Sequence, residues 1–124
     1  MKKILLIEDD SLMVNMYKKK FLHDGFEVEV ALDGVEGEQK VKQVKPDIII
    51  LDIMLPKMSG TDLLERIKKD PSVSSIPVLV LTNLNTNQEE VAKTLELGAK
   101  EILQKTDYTP QQVVDKIRKY LNEN

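Results

Sequence analysis

Three short stretches of this sequence are apolar at every position: "ILLI" at residues 4–7, "IIIL" at 48–51 and "VLVL" at 78–81. A strand with one face in water alternates apolar and polar residues, so an unbroken run belongs to a strand covered on both faces. Sheets of that kind are parallel, with helices packed on each side. Two further runs are weaker. "EVEVA" at 27–31 alternates and "EILQ" at 101–104 is mixed, as edge strands are. Between the runs lie segments of about 12 to 15 residues with helical character, the rhythm of repeated βαβ units.

The helix starts carry their own signals. "DGVE" from Asp33, "SGTD" from Ser59 and "TNQE" from Thr86 each put a small capping side chain three residues ahead of an acid. "TPQQ" from Thr109 adds proline at the first helical position. Val113, Val114, Ile117, Tyr120 and Leu121 make one apolar stripe on the last helix. The second helix, "VEGEQKVKQV", offers only Val35, Val41 and Val44 and carries Gly37 in its interior, which predicts a short or loosely packed element. Right-handed crossovers with three interior strands give an α/β fold: a doubly wound five-stranded parallel sheet in the order 2-1-3-4-5, with five helices, flavodoxin-like.

At 124 residues the chain is expected to form one domain, residues 1–124. Its 18 basic and 21 acidic residues leave a net charge of −3 with no basic block, which argues against binding nucleic acid or an anionic membrane. Without cysteine there is no disulfide framework, thiolate metal site or cysteine nucleophile. The apolar part of "MKKILLIEDD" is too short for a signal-peptide core or a membrane span, so the expected location is the cytoplasm. The sequence stops at Asn124, just after the fifth helix, and the expectation is a free-standing regulator or one domain of a larger protein, without an output domain of its own.

The strand order opens a crevice between the first and third strands, beyond their carboxyl ends, where such sheets bind ligands. There the first strand ends in Glu8, Asp9 and Asp10, the third in Asp52, the fourth in Thr82 and Asn83, and the fifth in Lys105. Asp10 and Ser11 read as the cap of the first helix. A carboxylate after four apolar residues, as at Asp52, is costly unless compensated. Glu8, Asp9 and Asp52 together repel one another unless a cation joins them, and an all-oxygen set with room for water suits Mg²⁺. A carboxylate so held is a nucleophile toward phosphorus, able to form an aspartyl phosphate. Lys105 supplies a point charge and Thr82 a hydroxyl for phosphoryl oxygens.

His23, the only histidine, lies near the carboxyl end of the first helix and reads as a capping or solvent residue. With no second histidine the chain offers no His-rich metal site. A haloacid-dehalogenase-like phosphohydrolase needs a second acid two residues after the first, where this chain has Met54. A flavin binder needs a phosphate-cradling loop where "EDDSLM" stands, and neither GxGxxG nor GxxxxGK[ST] occurs.

With "ILLIEDD", "PDIIILDIMLPKMSG" (46–60), "IPVLVLT" (76–82) and "LGAKEILQK" (97–105), the chain resembles the receiver domains of two-component response regulators along its whole length. The resemblance implies that Asp52 is the phosphoacceptor, that Glu8 and Asp9 position Mg²⁺, and that the Met54 carbonyl is a further ligand. Thr82 and Lys105 become the switch hydroxyl and the phosphate-binding lysine. The implied partners are a sensor histidine kinase or phosphotransfer protein and a downstream protein docking on the fourth helix, fifth strand and fifth helix. Such a chain is a signalling phosphoacceptor that promotes its own phosphorylation and dephosphorylation, not an enzyme.

Three positions depart from the family pattern. Ile102 stands where an aromatic switch residue is usual, so an aromatic rotation is not the readout. Thr106 replaces a cis-proline; either a cis bond costing about 2.5–4 kcal/mol is retained or the loop takes another path. Asn83 replaces a small residue and predicts altered phosphorylation or dephosphorylation kinetics. The alternative within the same fold is a receiver-like module that acts by docking alone; it predicts a damaged acidic pocket, whereas every pocket residue is present.

Overall fold

In the computed structural model, which describes residues 1–83 and 88–122, β1 (Lys3–Ile7) lies between β2 (Glu27–Ala31) and β3 (Ile48–Leu51). β4 (Val78–Thr82) and β5 (Glu101–Gln104) continue the sheet in the order β2-β1-β3-β4-β5, with every pairing parallel. Ile7 is in register with both Ala31 and Leu51, and Thr82 with Gln104, so these strands end along one edge. The helices are α1 (Ser11–His23), α2 (Gly34–Val44), α3 (Gly60–Lys69), α4 (Gln88–Glu96) and α5 (Pro110–Tyr120).

The unbroken apolar runs are explained by a core on each side of the sheet. Ile4, Leu6, Ile48, Ile50, Leu79, Leu81 and Leu103 face α1 and α5, where they meet Tyr17, Phe21, Val113, Val114 and Ile117. Their neighbours Leu5, Ile7, Ile49, Leu51, Val78 and Val80 point the other way, onto Val41 of α2 and Leu63, Leu64 and Ile67 of α3. Successive strand residues alternate in direction, so a strand with two dry faces has no position left for a polar residue. All the aromatic residues lie on the first side: Tyr17, Phe21 and Phe26 in its core, Tyr108 and Tyr120 packed against it.

The caps expected at Asp10, Asp33, Ser59 and Thr109 form. Asp10 accepts from the Leu12 and Met13 amides, Asp33 from Glu36, and Ser59 from Asp62. Thr109 and Gln112 make a reciprocal capping box with Pro110 at the helix start. The cap expected at Thr86 lies outside the described residues.

The second helix is neither short nor loose. It runs for 11 residues, and a Cβ on Gly37 would stand 3.0 Å from Ile7 Cδ1 and 3.0 Å from Leu63 Cδ2. Gly37 lets α2 approach the sheet and α3 closely, and that packing outweighs a helix-propensity cost of about 1 kcal/mol. Every peptide bond among the described residues is trans, Lys105–Thr106 included, so the loop before α5 takes a path without the cis bond. No helix of the described residues is long and apolar enough to cross a membrane.

Candidate functional site

Asp52 follows the last residue of β3, and its amide donates to the Ile7 carbonyl of β1, which fixes it at the mouth of the crevice (3.0 Å). Beside it stand Glu8 and Asp9, which follow β1. Carboxylate oxygens from Glu8, Asp9 and Asp52 lie within 4.8 Å of one another, with Glu8 and Asp52 buried and Asp9 exposed. Lys105, just beyond β5, sends its ammonium group back across the sheet edge to hydrogen-bond Glu8 Oε1 and, at 3.1 Å, Asp52 Oδ2. This buried lysine is the charge that makes two buried carboxylates tolerable in the protein itself.

The second oxygen of each buried carboxylate is also used. Glu8 Oε2 takes the Asp9 amide at 3.0 Å and the Asp10 amide at 3.3 Å, and Asp52 Oδ1 takes the Met54 amide at 3.1 Å. Burial pushes the Glu8 carboxyl up to about 7, against the Lys105 hydrogen bond that pulls it down, with the Asp52 charge adding to the rise. Burial alone would lower Lys105, but the hydrogen bond to Glu8 and the Asp52 and Glu8 charges reverse this and hold its ammonium above the usual value. An open cleft of about 290 Å³ is lined by Glu8, Asp9, Asp10, Asp52, Met54, Asn83 and Lys105.

Thr82 is fully buried at the end of β4, and its carbonyl accepts the Lys105 amide at 2.8 Å. It therefore adjoins the site through Lys105 while the cleft wall nearest to it is formed by Asn83. Ile102 is partly buried against the α2 and α3 side of the core. His23 is exposed on the last turn of α1, its Nδ1 3.9 Å from Asp24.

Sequence reasoning missed how the site is braced. The loop from Ile53 to Ser59 doubles back so tightly that the Gly60 amide donates to the Ile53 carbonyl at 2.8 Å. A Cβ on Gly60 would lie 2.3 Å from the Asp52 carbonyl oxygen, a contact only glycine permits. Nor did the sequence reveal that Glu8 is the main partner of Lys105; one lysine facing three acids on the same edge was the available signal.

The donor set of three convergent carboxylates is hard oxygen throughout, which fits a divalent cation of the Mg²⁺ type and excludes a soft-metal site. Residues 4–118 match the family model of the response regulator receiver domain. The chain belongs to that family. It is a receiver domain of two-component signalling, a signalling module, and its acidic cluster is typical of a receiver Mg²⁺ site and consistent with a phosphorylation site.

Among its relatives is the DNA-binding dual master transcriptional regulator RpaA of Synechocystis, 35% identical over 105 residues, which cover 85% of this chain and 43% of RpaA. YclJ, an uncharacterised transcriptional regulatory protein of Bacillus subtilis, is 36% identical over 116 residues, 94% of this chain and 49% of YclJ. This receiver chain thus spans about half the length of the curated relatives it matches. The CheY-like receiver domain protein of Methanospirillum hungatei superposes with a TM-score of 0.90 at 29% identity, covering 98% of this chain and 94% of that one. The BeF3-activated N-terminal receiver domain of Klebsiella pneumoniae RstA gives 0.88 at 27% identity, covering 98% and 99%.

Proposed function

We propose that residues 1–124 act as one receiver domain in which Asp52 accepts a phosphoryl group from a phosphohistidine of a sensor histidine kinase or phosphotransfer protein. One observation carries the reading: the Asp52 carboxylate lies within reach of two further carboxylates and of the buried Lys105 ammonium, at the mouth of a cleft open to solvent. An Asp52 carboxylate oxygen attacks phosphorus, the bond from phosphorus to the donor imidazole nitrogen breaks, and that nitrogen keeps the electron pair. An acyl phosphate on Asp52 results.

The chain's own groups prepare that step. The Met54 amide on Oδ1 and Lys105 on Oδ2 fix the plane of the Asp52 carboxylate. Lys105 then turns its charge to a phosphoryl oxygen, and the Thr82 hydroxyl serves another. Glu8, Asp9, Asp52 and the Met54 carbonyl would hold Mg²⁺, which when bound neutralises the charge that develops on the transferring group.

Modification biases a two-state element, and the downstream partner is a protein that docks on α4, β5 and α5. With Ile102 in β5, the two states differ in aliphatic packing and not in the rotation of an aromatic ring. The domain itself works by protein contact, with neither nucleic acid nor membrane as its ligand, and its place is the cytoplasm.

Intact-mass spectrometry after incubation with acetyl phosphate tests the reading. A single phosphoryl adduct is expected on the wild type with Mg²⁺, and none on Asp52→Ala or without the metal. A folded, Mg²⁺-binding protein that takes no adduct from acetyl phosphate or from a kinase would leave a module that works by docking alone.

A further inference from the structure

The loop that carries Met54 is held from outside by the head of α2. Asp33 and Gly34 stand there, at the carboxyl end of β2, and nothing in the chemistry at Asp52 requires them directly. Yet a Cβ on Gly34 would fall 2.2 Å from the Met58 carbonyl oxygen and 2.7 Å from Met58 Cβ. Backbone lies against backbone, so an added methyl group cannot be accommodated by a side-chain rotation. The Gly34 amide is directed at the Pro56 carbonyl at 3.4 Å, and that same carbonyl accepts the Met58 amide at 2.7 Å. Between them Lys57 is held at φ 67°, a left-handed conformation costly for a residue with a Cβ, and its ammonium lies 3.5 Å from Asp33 Oδ2.

The other end of the loop is closed by Gly60 on Ile53 and Asp52. Between these two fixed ends the Met54 amide lies on Asp52 Oδ1 at 3.1 Å. Asp33 also caps α2 through the Glu36 amide at 2.8 Å, so the support is itself anchored.

We propose that Gly34 and Asp33 are positioning residues for the chemistry at Asp52, acting through Pro56, Lys57 and Met58 to set the Met54 backbone that touches the acceptor carboxylate. The inference rests on the phosphoacceptor reading above and assigns to α2 a part in that reaction. Outer supports of a metal site commonly change metal affinity by about 10- to 100-fold when altered. A displacement of about 1 Å of a reacting group changes rates by about 100-fold.

The test uses the whole chain with Gly34→Ala and, separately, Asp33→Asn, which keeps a good capping residue while removing the charge that faces Lys57. Mg²⁺ affinity is read by titration calorimetry, the phosphorylation rate with acetyl phosphate, and the Met54 environment by its amide resonance. Gly34→Ala is expected to weaken Mg²⁺ binding at least about 10-fold, to slow phosphorylation at saturating Mg²⁺, and to shift the Met54 amide while distant amides such as Lys116 stay put. Asp33→Asn is expected to act in the same direction by about two- to fivefold, as befits one surface ion pair.

A Gly34→Ala protein that melts lower but binds Mg²⁺ like the wild type, with Met54 unmoved, would make Gly34 merely structural and overturn the proposal. Should that variant not fold, an Asp33→Asn protein with unchanged Mg²⁺ affinity and an unmoved Met54 amide overturns it instead. If the wild type takes no phosphoryl group at all, the phosphoacceptor reading fails, while Mg²⁺ affinity and the Met54 resonance still decide whether α2 braces the loop.

Discussion

Gly60 and Asp52 are in backbone contact: the Cβ of any other residue at position 60 would stand 2.3 Å from the Asp52 carbonyl oxygen and 2.6 Å from Ile53 Cα. Relief requires moving Asp52 itself. Gly60→Ala is expected to lose about 1–3 kcal/mol in urea unfolding, the usual cost of overpacking, and to slow phosphorylation of Asp52 along with it. An alanine variant of wild-type stability and rate would show that the loop gives way without disturbing the site.

Lys105→Met keeps the length of the side chain and removes its charge. Glu8 and Asp52 then face each other without compensation in a buried setting, and a loss of about 3 kcal/mol is expected near pH 8. At pH 5 the loss should be smaller, because Glu8 can take up a proton. Added Mg²⁺ should restore part of the stability at pH 8. Urea unfolding at the two pH values, with and without Mg²⁺, measures all three.

Glu8 gives the metal-free domain a pH dependence of definite sign. Its carboxyl titrates at about 7 in the folded chain against 4.5 without burial, so between those values the folded state holds the extra proton. Stability from this group is therefore greatest below pH 4.5 and falls as pH rises toward 7, by no more than about 3 kcal/mol, then levels off. Glu8→Gln should remove that slope from melting temperatures recorded across the window. Mg²⁺ needs the ionised carboxylate, so its affinity for the wild type should weaken below pH 7.

Asn83 is exposed and lines the cleft beside Lys105. Truncation to alanine opens the mouth to the donor and to water, so Asn83→Ala should take a phosphoryl group from acetyl phosphate faster and lose it faster. Following the phosphorylated mass through uptake and decay reads both rates; if neither changes, Asn83 has no part in the kinetics.

Much of this was legible because backbone pattern and strand ends carry it. The runs at 4–7, 48–51 and 78–81 have no polar position, which sets them inside a parallel sheet, and the weaker runs fall at its edges as expected. Glu8, Asp9, Asp52 and Lys105 are legible as one group because each lies within two residues of the carboxyl end of a strand. What escaped depends on contacts between segments distant in sequence. By local propensity Gly37 is a flaw in α2, and its reason lies in Ile7 and Leu63, which occupy the space a side chain would need. The reach of Lys105 to Glu8, 97 residues away, is a property of a long flexible side chain that no local pattern encodes.

The aromatic residues all lie against one side of the sheet, and the other side is aliphatic. Light absorption in the near ultraviolet and the ring currents that disperse methyl resonances therefore report on α1 and α5 and leave the half built from α2 and α3 almost silent. A transition confined to that half, where the loop after Asp52 is braced, would pass unseen by the intrinsic chromophores. A single tryptophan introduced on the α2 and α3 side would turn that silent half into one that can be watched.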